Sequence, residues 1–196
     1  MEHKVYELVI DDKEQSGVDY VAIVDAPAIE SDFLAFNETK QSFKIDDEEK
    51  RIISGYLMLA DKPIYRNNEQ LGEHYVVFKA DTIRDIVFKF MKNGFNSNTN
   101  LQHEEELRLS DVFLFESILI DSKRGMKAPK GFEDAPDGSW FGSMRVDNDK
   151  VWSMIKENRF KGFSVEGWFS YVEPNKESEA EQKLRKVLEL LSELEA

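Results

Sequence analysis

Residues 51–60 read RIISGYLMLA, an almost continuously apolar run bounded by Asp61-Lys62-Pro63. It is far shorter than the roughly 20 residues that cross a bilayer. An apolar run of strand length closed by a turn signal is what a central strand covered on both faces requires. The segments around it supply companions. Lys4 to Ile10 and Val18 to Val24, rich in Val, Ile and Tyr, read as a hairpin or neighbouring pair of strands joined through the turn-like Lys13-Glu14-Gln15-Ser16-Gly17. Pro27, without an N–H, ends the second, and Phe33, Leu34 and Phe36 add a small apolar patch before a polar loop or edge over residues 37–50. Glu73 to Lys79, Ser110 to Asp121, Ser139 to Val146 and Phe163 to Val172 read as further strands, while residues 122–138, dense in Gly, Pro and charge, read as a surface excursion.

Two helices interrupt the strands. Asp81 stands at an N-cap position, Ile83, Ile86, Val87, Phe90 and Met91 recur at helical spacing, and Asn93-Gly94 stops the turn. Asp147 or Asn148 caps a second helix with Val151, Trp152, Ile155 and Phe160 on its apolar face, closed by Gly162. After Pro174 the composition changes to KESEAEQKLRKVLELLSELEA, with Leu184, Val187, Leu188 and Leu191 at helical spacing. The expected organisation is one α+β domain over residues 1–174 and an amphipathic tail helix over 175–196. That tail reads equally as a helix packed on the domain or as a coiled-coil contact, including one between copies of the chain.

Composition narrows the chemistry. The 196 residues carry 39 acidic and 26 basic side chains, a formal net charge of -13 with no gathering of cations, which argues against nucleic acid. No stretch approaches a membrane span, and MEHKVYELVIDD lacks the apolar core of a signal peptide. With no cysteine there is neither disulfide nor thiolate nucleophile, and an imidazole base must come from His3, His74 or His103. His3 and His74 read as structural or solvent-facing. The HEEEL around His103 has Leu107 where a zinc helix needs its second histidine, so no metal and no cofactor is expected.

Ser164 lies in KGFSVEGWF, where alternation turns Phe163, Val165 and Gly167 one way and Ser164, Glu166 and Trp168 the other. A serine on a solvent-facing strand side is the commoner fate of such a residue. A serine that attacks a carbonyl needs an imidazole to take its proton, and Gly162 and Gly167 would let other backbone approach. Glu116, in DVFLFESILID, alternates with Val112, Leu114, Ile118 and Ile120 and is expected on their buried face, where it would need a partner. A lysine or arginine would serve. So would His103, which would make Glu116 the third member of a triad, with Glu166 in reserve. Arg145, Arg159 and Lys161 are candidate cations for polarising a carbonyl.

Taken in order, VDYVAIVDAPAIESDFLAF, NLQHEEE followed by FLFESILID, GSWFGSMRV, the helix through Lys161 and GFSVEGWF resemble the phage prohead (capsid maturation) proteases of the XkdF-like group, from about Val18 to Val172. The resemblance implies a serine endopeptidase with the herpesvirus assemblin-like fold, a β-barrel-like, mostly antiparallel sheet flanked by helices. It implies His103 as base and Ser164 as nucleophile, with capsid and scaffold proteins as substrates, self-cleavage included, inside an immature capsid in the host cytoplasm. The herpesvirus enzymes place a second histidine after the serine. None follows Ser164 here, so an acid must take that role. The rival is a non-catalytic capsid-assembly or scaffold-interaction module on the same fold.

Overall fold

A computed structural model describes residues 4–11, 16–27 and 43–173. Along the chain run β1 (Val5–Val9), β2 (Gly17–Val24), β3 (Phe43–Asp47), β4 (Ile52–Met58), β5 (Ile64–Asn68), β6 (Gly72–Val77), α1 (Ala80–Lys92), β7 (Thr99–Leu101), β8 (Glu104–Leu109), β9 (Val112–Leu119), β10 (Trp140–Val146), α2 (Asp149–Lys156), β11 (Gly162–Trp168) and β12 (Ser170–Val172). RIISGYLMLA supplies β4, buried from Ile53 to Ala60 and flanked by β3 and β10 in a sheet of order β3-β4-β10-β9. The other sheets run β12-β1-β6-β5 and β11-β2-β7-β8. Pairing is antiparallel except for β1 with β6 and β2 with β7. Among the described residues no sheet closes on itself, so the architecture is mostly β with two helices and not a barrel.

Several expectations change at this level. β1 and β2 do not pair: β1 lies between β12 and β6, and β2 between β11 and β7, so both edges of each strand are occupied by distant segments. The single strand expected over 163–172 is two, in different sheets, with Phe169 between them. In α1, Lys79 occupies the N-cap, while Asp81 lies in the first turn and pairs with Arg84. Met91 is exposed. Asn148 caps α2 through Val151 N–H, and α2 ends at Glu157 and the left-handed Asn158, well before Gly162. The 122–138 excursion is not purely superficial. Phe132 is buried with Tyr56, Leu59, Ile120 and Phe141, and the Tyr56 hydroxyl lies 2.6 Å from Asp134 Oδ1. His3, the apolar patch at residues 33–36 and the tail over 175–196 lie outside the described residues.

The main core joins all three sheets and both helices, with Val21, Ile53, Val76, Ile83 and Trp140 each at 0% exposure. Trp140 meets the Phe90 ring of α1 edge-on at 5.2 Å between centroids. β11 pairs with β2 along its length, and at one point the backbones nearly touch. A Cβ at Gly167 would run into the Gly17 carbonyl oxygen and come within 2.9 Å of Val18 Cα. Gly167→Ala is therefore expected to cost about 3 kcal/mol or more in urea unfolding, because backbone and not a flexible side chain stands in the way. A loss below 1 kcal/mol would show that β11 moves freely at this point.

Candidate active site

The β11-β2-β7-β8 sheet keeps Phe163, Val21, Ile23 and Leu101 in the main core. Its other face carries a polar row. Ser164 on β11 stands opposite Ala22 on β2, Ala22 opposite Asn100 on β7, and Asn100 opposite Arg108 on β8. Ser164, Asn100, Arg108, Glu166 and His103 all line one cleft of about 1330 Å³. Leu57, Ile64, Phe78 and Phe169 are among its apolar lining, and Trp168, 75% exposed, stands on its wall.

His103 reaches the cleft through a tight hairpin. β7 and β8 pair through Leu101 and Glu104, leaving Gln102 and His103 as the two turn residues, at φ of 57° and 62°. Two successive left-handed residues make the turn that matches strand twist, a position that Asn and Gly usually fill. Side chains other than Gly are strained there, and such strain clusters at functional sites. Tertiary bonds hold the turn: Gln102 N–H donates to the Ile23 carbonyl at 3.2 Å, and Asp25 N–H donates to Gln102 Oε1 at 3.1 Å.

So held, His103 Nδ1 lies 3.0 Å from Glu166 Oε1. The same carboxylate oxygen accepts a 2.6 Å hydrogen bond from Asn100 Nδ2. With Nδ1–H turned to the carboxylate, Nε2 is the ring atom left to accept a proton. Ser164 Oγ makes no hydrogen bond among the described residues and lines the same cleft as His103.

Glu116 is elsewhere. Leu114 pairs with Met144 and Glu116 with Ser143, so Phe115 is an extra residue that makes a bulge in β9. A bulge reverses the alternation beyond it. Val112 and Leu114 face the main core before it, Leu119 packs there after it, and Glu116 is exposed, outside the cleft lining. His103 faces the reserve acid instead. Arg145 donates to Asp147 at 2.6 Å, and neither it nor Arg159 nor Lys161 lines the cleft. His74 is buried on β6, with Nδ1 2.8 Å from the Gly72 carbonyl and edge contacts to Tyr6 and Tyr171. Among the described residues no group of three or more His, Cys, Asp or Glu is placed to hold a metal ion, and no helix is long and apolar enough to cross a membrane.

A second bulge shapes the cleft. Glu166 pairs with Tyr20 but Gly167 with Val18, so Asp19 is the extra residue in β2, and it lines the cleft. Burial and the neighbouring Glu166 carboxylate push its carboxyl above the usual carboxylate range, against opposing backbone hydrogen bonds. The folded state then holds this proton more tightly than the unfolded chain, so the group's contribution falls as pH rises above the unfolded value. Asp19→Asn is expected to raise the melting temperature at pH 7 and leave it near wild type at pH 3. A rise confined to acid pH would contradict burial as the cause.

The residues missed by sequence reading are Asn100 and Asp19. Asn100 sits in a three-residue strand too short to show alternation, and Asp19 projects into the cleft only because of the bulge. Comparison with known proteins adds the family. The family model described as "Putative phage serine protease XkdF" matches residues 38–173, which include His103, Asn100, Ser164 and Glu166. The chain belongs to that family of phage serine proteases. No curated protein and no solved structure matches the chain.

Proposed function

We propose that the chain is a serine endopeptidase that cuts scaffold and capsid proteins, and itself, as a phage prohead matures inside the host cytoplasm. The observation that carries this reading is the 3.0 Å contact between His103 Nδ1 and Glu166 in a cleft that Ser164 also lines. In the proposed reaction His103 Nε2 takes the Ser164 proton as Oγ bonds to a substrate carbonyl carbon. Glu166 steadies the imidazolium. The imidazolium then protonates the leaving amine as the C–N bond breaks, and water attacks the acyl-enzyme by the same route. β10 commits its backbone to β4 and β9, so the oxyanion donors fall to amides beside Ser164 on β11, an edge strand of its sheet.

The proposed substrates are held beside the enzyme in the capsid, where high local concentration makes a slow protease sufficient. The acidic, Leu-rich segment 175–196 is proposed as its tether to scaffold or to a second copy. Co-expression with the scaffold and capsid proteins of the phage tests the proposal. Truncated products are expected from wild type. Their absence, or identical products from Ser164→Ala, would overturn it.

A further inference from the structure

We infer that Asn100 is a positioning residue that holds the Glu166 carboxylate aimed at His103, a role that rests on the protease reading above. Three observations meet at this side chain. Its Nδ2 donates at 2.6 Å to the very oxygen that His103 Nδ1 approaches at 3.0 Å, so the two donors together fix that carboxylate. The residue is 3% exposed and packed in the sheet, so it has little freedom to swing. Among the described residues its Oδ1 is buried with no hydrogen-bond partner.

The last point separates function from stability. An unsatisfied buried amide oxygen is a net cost, and an apolar side chain of similar shape would avoid it. The donated bond also settles the amide's orientation, because turning Oδ1 toward Glu166 would set two acceptors face to face. Ala22, the residue between Asn100 and Ser164 in the cross-strand row, contributes only a methyl group and is itself fully buried.

The charged surroundings are mixed. Asp19 from β2 and Glu105 and Arg108 from β8 share the cleft with the trio, and Arg108 is engaged by Glu105 at 2.8 Å and stacked over Tyr20. Lys62 and Arg66 line the cleft as well, with Tyr75 and Tyr171. None of these donates to Glu166 Oε1; Asn100 does.

The test uses the full chain and a fluorophosphonate probe, which phosphonylates an activated serine: the Oγ–P bond forms, fluoride leaves and the imidazole takes the hydroxyl proton. Labelling rate is followed from pH 5 to 10 for wild type, Asn100→Leu and Asn100→Asp, with the His103 tautomer read by nitrogen NMR. Asn100→Leu is expected to stay folded, because the lost bond and the removed unsatisfied oxygen offset one another, and to label on the order of ten- to hundredfold more slowly, since a hydrogen bond to a charged group is lost. Asn100→Asp places a second carboxyl beside Glu166, and the two must share a proton. While that proton stays, an O–H donor replaces the N–H; once it leaves, repulsion parts the pair. The wild-type rate should rise to a plateau with pH, whereas that of Asn100→Asp should turn over on the alkaline side.

Profiles that differ only by a constant factor, together with an unchanged His103 tautomer, would overturn the role, as would wild-type labelling by Asn100→Leu. Failure of wild type to label at any pH would instead remove the protease reading. The Nδ1–H tautomer would then decide the Asn100 contact separately, its retention in both variants counting against the role and its loss in both supporting it.

Discussion

Ser164→Ala is expected to lower peptide-bond cleavage by on the order of 10⁴- to 10⁶-fold, the range seen when a serine enzyme loses its nucleophile. The substitution deletes one oxygen from a half-buried position on β11, and that oxygen makes no hydrogen bond among the described residues. Folding should therefore be barely affected, within about 0.5 kcal/mol, because no partner is orphaned and no large cavity opens. Loss of activity with an unchanged melting temperature is the signature to look for. A loss below tenfold would mean that the hydroxyl is not the attacking group.

Glu166→Gln should come second in size, on the order of 10²- to 10³-fold in kcat with little change in KM. A glutamine can keep its carbonyl oxygen toward both Asn100 and His103, but it carries no negative charge to stabilise the imidazolium that forms as Ser164 gives up its proton. The paired control is Glu116→Gln, expected within twofold of wild type because Glu116 is exposed and outside the cleft. Reversal of the two results would restore the acid that simple alternation favours and would remove Glu166 from the mechanism.

Much of the fold is legible in the sequence where the pattern is long or sharply bounded. RIISGYLMLA reads as a covered strand because a ten-residue, largely apolar run between turns is too short to cross a membrane and suits a strand buried on both faces. The helix containing Ile83, Ile86, Val87 and Phe90 reads correctly because four side chains repeat on one face and all are buried. Partnership is less legible, since β1 and β2 are neighbours in sequence yet each pairs only with strands from far along the chain.

The candidate site divides the same way. Ser164 and Glu166 share a face because β11 keeps its alternation between them, and a lone useful histidine in a cysteine-free chain points to His103. Glu116 misleads because Phe115 inserts one residue into the ladder, and nothing in FLFESIL announces a bulge. Asn100 stays hidden because its significance comes from a carboxylate 66 positions later. The left-handed turn at Gln102 and His103 is also unannounced, since it lacks the Asn-Gly or Asp-Gly pair that usually marks such a turn.

The most direct measurement is to treat the full chain with a fluorophosphonate and locate the adduct by peptide mass mapping. The account predicts a single modified residue, Ser164, in wild type, and no adduct there in His103→Ala. An unmodified Ser164 in a preparation that still cleaves capsid or scaffold protein would contradict it.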